Sequence, residues 1–103
     1  MAEKHFMEVL AEEAPDVNKA FFNLAETLKY DAGLDEKTFQ LVYIALKTSV
    51  GETGAVAVHA GEAKKAGATR KEVLGAILIT LMTDGVHGIQ SCLNAALDSY
   101  DKA

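Results

Sequence analysis

Residues 49–67 read SVGETGAVAVHAGEAKKAG, a stretch in which alanine, valine and glycine predominate. We interpret it as a helix of small side chains, and Gly67 supplies the signal for its C-terminal end. One histidine, His59, lies in the middle, seven residues after Glu52. The small side chains predict a helix that leaves room over one face, either above a pocket or against a partner.

Helix signals continue on both sides of this central stretch. TRKE, residues 69–72, forms a capping box, with a hydroxyl at the cap and a carboxylate three residues later. It starts a helix whose run VLGAILITLM, residues 73–82, is apolar nearly all round, so both of its sides are predicted to be covered. Before the central stretch, Asp35 is placed to cap another helix. The apolar positions of that helix are Leu41, Val42, Ile44, Ala45 and Val50.

The outer segments also carry helix signals and almost no strand signal. Pro15 suits the first turn of a helix that ends at YDAGL, residues 30–34. TDGVHG, residues 83–88, separates the apolar run from a last helix. The chain is therefore predicted to be an all-α single domain over residues 1–103, with five main helices and a short N-terminal one. The apolar positions at helical spacing are Val17, Phe21, Leu24 and Leu28 after Pro15, and Ile89, Leu93, Ala96, Leu97 and Tyr100 in the last helix.

Composition and charge narrow the classes of partner. The chain has 103 residues, a net charge of −5 and no basic cluster larger than a pair, so nucleic acid is not an expected partner. Half of the residues are hydrophobic, which is a high share for a chain with so little interior. We therefore expect part of the apolar surface to be buried against other copies in a homo-oligomer.

The cysteine count and the apolar runs predict the cellular location. A single cysteine, Cys92, cannot form an intrachain disulfide, which fits a reducing compartment. The N-terminal residues lack the apolar core of a signal peptide, and the longest apolar run is about half a membrane span. The sequence thus predicts a cytoplasmic protein that does not bind a membrane.

Four motifs in order resemble the carboxymuconolactone decarboxylase and alkylhydroperoxidase D-like family. They are LDEKTFQL at residues 34–41, His59, GATRKEV at residues 67–73 and DGVHG at residues 84–88. The resemblance covers roughly residues 33–100. It implies an alkylhydroperoxidase D-like bundle of about five to six helices, assembled as a trimer or hexamer and working without a cofactor.

The chain departs from the family pattern at its redox positions. In the peroxidase-like members, the pattern C-x-x-C-x-x-x-H places two cysteines before the histidine, and here Glu52 and Ala55 stand at those positions. The family's relay glutamate is replaced by Gln40. Without a thiolate there is no nucleophile for a peroxide, and Cys92 lies on another helix, so thiol peroxidase chemistry is disfavoured. Decarboxylase-type members of the family also lack the cysteine pair.

The candidate site is a face of the central helix. Glu52 and His59 are seven residues apart, about two turns or ~10 Å, and could bracket a small ligand. The plainer alternative is a Glu at a helix start and a His packed at a subunit contact. The metal-ligand spacings H-x-x-x-H and H-E-x-x-H are absent, so no metal is predicted. The predicted catalytic residues are His59, Glu52 and Gln40, and the predicted substrate contacts are Tyr43, Ala55 and His87.

Each of the other candidates also has an alternative interpretation. Gln40 could be a helix-surface residue, Tyr43 a core residue and His87 an exposed loop residue. Cys92 is expected to be a small buried apolar group.

Two functions from different classes remain open. The first is a cofactor-free acid–base enzyme of the decarboxylase or lyase type, acting on a small acid or lactone with His59 as proton donor. The second is a non-catalytic oligomeric binding or scaffold protein derived from the peroxidase branch. One observation counts against an acidic substrate: Glu52 would repel it, and the single arginine, Arg70, lies in the capping box.

Overall fold

The computed structural model describes residues 4–103 and contains seven helices and no strand in that range. The all-α prediction is confirmed. The helices are α1 (Phe6–Glu13), α2 (Pro15–Asp31), α3 (Glu36–Ser49), α4 (Thr53–Lys65), α5 (Arg70–Leu78), α6 (Leu81–Asp84) and α7 (His87–Lys102).

The chain folds as two compact units divided between Leu34 and Asp35. In the first unit, α1 packs against α2, and Pro15 occupies the first turn of α2 as predicted. Neither helix contains a buried residue. The single-domain assignment of residues 1–103 stays a prediction.

The core of the second unit lies where α4 meets α7 and α3. Helices α4 and α7 run parallel, as two hydrogen bonds between them indicate. Near the start of both helices, Thr53 Oγ1 donates to the Ser91 carbonyl at 3.2 Å, and further along both, the Ser99 hydroxyl donates to the Ala57 carbonyl. The small side chains of α4 allow this close approach: a Cβ added to Gly61 would already lie 3.8 Å from Ala103 Cβ. The buried apolar core consists of Ile44, Val56, Ala60, Ala63, Ala68, Val73, Ile77, Cys92 and Ala96.

Gly88 sets the contact between the start of α7 and the end of α3. A Cβ at this position would lie 1.7 Å from the carbonyl oxygen of Thr48, a distance that no side chain tolerates. Only glycine therefore allows α7 to begin against the α3 backbone.

The helix ends follow the predicted signals. The Asp35 carboxylate accepts a hydrogen bond from the Thr38 amide at 2.8 Å. Thr69 and Glu72 form the predicted capping box, with hydrogen bonds of 3.0 and 2.9 Å in the two directions. Gly67 has a φ of 93°, the left-handed conformation that ends α4.

The apolar run at residues 73–82 departs from the prediction of one continuous helix. It breaks after Leu78, where tighter i→i+3 bonds replace the α-helical pattern: the amides of Thr80, Met82 and Thr83 each donate to the carbonyl three residues earlier, at 3.1 Å. The Thr80 hydroxyl also donates to the Ile77 carbonyl, at 2.7 Å. Within one chain the run is covered on one side only, since Ile79 is 58 % and Met82 86 % exposed.

A search of the helices in residues 4–103 finds none that is both long enough and apolar enough to cross a membrane.

Candidate functional site

One face of α3 carries a row of polar side chains, and two of them, Gln40 and Tyr43, contact α4. Glu36, Gln40, Tyr43 and Lys47 follow one another at spacings of four, three and four residues, so they share one side of the helix. His59 of α4 contacts this face near its middle. The arrangement arises because Ile44 and Thr48, on the adjoining face of α3, are buried in the core.

Gln40 is buried and bonded at both ends of its amide. The residue is 2 % exposed, its Oε1 lies 2.7 Å from Nδ1 of His59, and its Nε2 donates to Glu36 Oε1 at 3.2 Å. A surface role for Gln40 is thereby ruled out. The amide replaces the carboxylate of the family pattern but keeps a direct hydrogen bond to the histidine.

Tyr43 lies against the imidazole. Its ring centroid is 4.0 Å from that of His59 with an interplanar angle of 33°, and Phe39 stacks on Tyr43 at 6.1 Å. This packing restricts rotation of the His59 ring. Tyr43 is half-buried. Its contact with His59 fits the prediction of a site residue, and its packing on Phe39 fits the alternative of a packing residue.

Lys47 is the site residue that the sequence reasoning missed. Its Nζ lies 5.7 Å from the Tyr43 ring centroid, within the range of a cation–π contact. The signal was present in the sequence, because Lys47 is one turn after Tyr43 and two turns after Gln40. It supplies a positive charge beside the candidate site, for which the sequence offers no arginine.

Glu52 and Ala55 lie nearer the N-terminus of α4. Glu52 is the exposed N-cap residue, its side chain makes no capping hydrogen bond, and its amide donates to the Lys47 carbonyl at 2.9 Å. Ala55 is half-buried one turn before His59. The predicted site residues in direct contact are therefore Gln40, Tyr43 and His59.

His87 belongs to a second polar group, at the turn between α3 and α4. It is exposed at the start of α7, and its Nε2 would lie 3.5 Å from a Cβ at Gly51. The Asp84 carboxylate accepts hydrogen bonds from the hydroxyls of Ser49 and Thr83. These hydroxyls, Ser49 first, hold the pKa of Asp84 below its ordinary value, and the nearby His87 adds to the lowering.

Cys92 is fully buried in the core, as expected, with its Sγ 3.7 Å from Ser91 Oγ and 3.9 Å from Thr53 Oγ1. In the part of the chain that the structure describes, no three His, Cys, Asp or Glu side chains are grouped so that they could hold a metal ion.

A cavity lies on another face of α3, outside the predicted site. This open groove between α3 and α5 has a volume of about 460 Å³ and is almost entirely apolar. Glu72 at its edge is engaged by the capping box and by Lys37 Nζ at 3.1 Å. Its apolar lining includes Leu41, Val42, Ala45, Leu46, Ala76 and Ile79.

The comparisons with known proteins give one match. The model of the Carboxymuconolactone decarboxylase family matches residues 15–98, which is most of the chain. No curated protein and no solved structure gives a significant match.

Proposed function

The chain belongs to the carboxymuconolactone decarboxylase family, and on this premise we propose that it is a cofactor-free acid–base enzyme of the decarboxylase or lyase type. Its substrate is a small acid or lactone, and His59 is the proton donor. The observation that carries the proposal is the contact of His59 with a buried amide, Gln40, on one atom and with the Tyr43 ring on one face. An imidazole held in this way is suited to directed proton transfer.

The chemistry needs few groups. Loss of carbon dioxide leaves the electron pair of the broken C–C bond on the substrate as an enolate, and the enolate carbon then takes a proton. His59 supplies that proton. Lys47, beside Tyr43, offers an ammonium group for a carboxylate or for the developing oxyanion, which answers the objection raised by Glu52.

The residues at the two redox positions favour an enzyme of the decarboxylase or lyase type over a peroxidase. In the peroxidase-like members these positions carry thiols. Glu52 and Ala55 supply no sulfur, and the thiol of Cys92 is buried among core residues of α4 and α7. A peroxide would find no exposed thiolate to attack it.

Self-association is part of the same proposal. Large apolar side chains are exposed in both units, among them Phe21, Leu24, Leu46 and Ile79. Such a surface on a chain of this size favours a homo-oligomer, for which the family resemblance implies a trimer or hexamer. The same exposed apolar surface supports the alternative of a non-catalytic scaffold, which differs from the proposed enzyme in that it converts no substrate.

The test is a turnover screen on five-membered lactone carboxylic acids, with carboxymuconolactone among them. We expect His59→Gln to lower kcat/KM by at least about 100-fold, the usual contribution of one acid–base group. The matched control is His5→Asn, which replaces an imidazole in the first unit by a side chain that can also cap α1. Equal rates for wild type and His59→Gln would remove His59 from the mechanism, and no turnover of any acid would favour the scaffold.

A further inference from the structure

An apolar stripe along α2 is exposed in the single chain. Its four members follow one another at spacings of four, three and four residues, so they share one side of the helix over about 16 Å: Val17, Phe21, Leu24 and Leu28. Each of them is between 49 and 60 % exposed. The alternation of four and three residues is the spacing of the seam along which two helices pack. The stripe therefore has the pattern of a helix contact.

Helix α1 packs against a different face of α2. Asn18 and Ala25, seven residues apart, are half-buried on that face. Even so, neither helix of the first unit contains a buried residue. Helices in proteins draw most of their stability from the packing of an amphipathic face, and this unit has no such packed face of its own. The stripe supplies one as soon as another helix covers it.

The edges of the stripe carry no charge. Four uncharged residues border it, two on each side: Asn18 and Ala25, and Ala20 and Thr27. Lys19 and Glu26 lie on the opposite side of α2, and Asp16 and Asp31 stand at its two ends. In a contact between identical surfaces, charged edges would bring like charges together, and uncharged edges avoid this repulsion. A partner with a charged rim would find no matching charge here, whereas an identical stripe needs none.

We propose that the α2 stripe packs against the same stripe of a second copy of this chain, about a two-fold axis near Phe21 and Leu24. This inference rests on the self-association that is part of the proposed function, and it assigns a surface to it. The contact brings four helices together, α1 and α2 from each copy, and each stripe covers the other. A two-fold contact joins copies in pairs, so the assembly contains an even number of chains.

Opposite charges at position 24 test the identity of the partner. Leu24→Glu and Leu24→Lys each place an unpaired charge in the seam. Light scattering coupled to size-exclusion chromatography of the full chain should give about half the wild-type mass for each variant at the same concentration. An equimolar mixture of the two variants should regain the wild-type mass, because position 24 lies near the two-fold axis and opposite charges then face each other. Leu24 is 54 % exposed in one chain, so neither change opens a cavity in a core.

The opposite side of α2 provides matched controls. Lys19→Gln changes the net charge by the same amount as Leu24→Glu, and Glu26→Gln by the same amount as Leu24→Lys. Both controls should keep the wild-type mass, because their side chains lie away from the stripe. Far-ultraviolet circular dichroism checks that each variant remains helical.

The outcomes separate the α2 pairing from the proposed function. A wild-type mass that is an odd multiple of 11.0 kDa, or a wild-type mass kept by both position-24 variants, would overturn the pairing. Two variants of reduced mass whose mixture is not restored would also overturn it, because the stripe would then meet a different surface. In each case a reduced mass for Leu46→Glu would preserve the self-association, and turnover of a lactone acid would preserve the enzyme. A restored mixture without any turnover would instead overturn the enzyme and leave the pairing in place.

Discussion

Gln40 shows at the scale of single residues how the departures from the family pattern fit together. A glutamine cannot take up a proton, so the relay that the resemblance implies for peroxidase-like members is broken here at the same time as the thiols it would serve are replaced. The imidazole nevertheless keeps a 2.7 Å hydrogen bond to position 40. The retained contact orients His59, while the exchange of carboxylate for amide removes a negative charge beside it.

Lys47 gives a prediction at the same scale. Lys47→Met keeps the aliphatic stem and removes the ammonium group near Tyr43. For a lactone acid whose carboxylate at Lys47 does not itself react, we expect KM to rise at least about tenfold with kcat changed less than about threefold, because such a carboxylate is held equally in the ground state and the transition state. Steady-state kinetics measure both constants. Lys65→Met is the control, since Lys65 is an exposed lysine paired with Glu62 at 3.5 Å; an equal effect there would point to a general loss of charge.

Gly88 gives a second residue-scale prediction, on stability. Gly88→Ala would place a methyl group 1.7 Å from the Thr48 carbonyl oxygen, so α7 must move away from α3. We expect a loss of about 3 kcal/mol or more in the free energy of unfolding, at the upper end of overpacking costs. Gly54→Ala is the matched control because its Cβ would meet nothing within 4 Å, and it should be neutral or stabilise by up to about 1 kcal/mol. Urea denaturation compares the two, and similar values would contradict the close approach.

At the scale of helices, the sequence predicts the capped starts and the glycine stops better than the break inside the apolar run. Asp35, Thr69 and Pro15 act through local backbone chemistry, which a single sequence reveals, and all three stand where predicted. The break at Thr80 involves a hydrogen bond from the Thr80 hydroxyl to the Ile77 carbonyl of the same helix. This bond and a continued helix are close in free energy, so the sequence carries no distinct pattern for the break. Likewise the choice of Gln40 and His59 as candidates followed from the family resemblance. The sequence shows that Lys47 shares a helix face with Gln40 and Tyr43, but only the packing of α3 against α4 shows that this face meets His59.

The capping box gives a prediction on pH. The Thr69 amide, and then the Lys37 ammonium, hold the pKa of the Glu72 carboxyl below its ordinary value of 4.5. A lowered pKa in the folded state means that ionised Glu72 stabilises the fold above pH 4.5, and that this contribution is lost as the pH falls through the folded value. We expect the free energy of unfolding to fall less in Glu72→Gln than in wild type between neutral pH and pH about 3, because glutamine also completes a capping box. Denaturant unfolding across this range measures the difference, and parallel curves would contradict it.

At the scale of the whole molecule, the apolar groove between α3 and α5 is the feature that the single chain leaves uncovered. Residues 73–82 were predicted to be covered on both sides, yet Leu78, Ile79 and Met82 are exposed in one chain. A second copy would supply the missing cover. The face of α3 that carries Gln40 and Tyr43 is a different one, so assembly and the proposed proton transfer can be tested separately.

Light scattering coupled to size-exclusion chromatography tests this assembly. We expect a mass that is a multiple of the 11.0 kDa chain, and a shift to smaller species for Leu46→Glu and for Ile79→Glu, which place a charge in the apolar groove. Lys65→Glu, on exposed α4 surface, is the control and should keep the wild-type mass. Far-ultraviolet circular dichroism checks that each variant remains helical. A wild-type protein that elutes as a monomer at every concentration would contradict the assembly. Unchanged masses for both groove variants would move the contact to another surface, because the apolar centre of an interface does not accommodate an unpaired carboxylate.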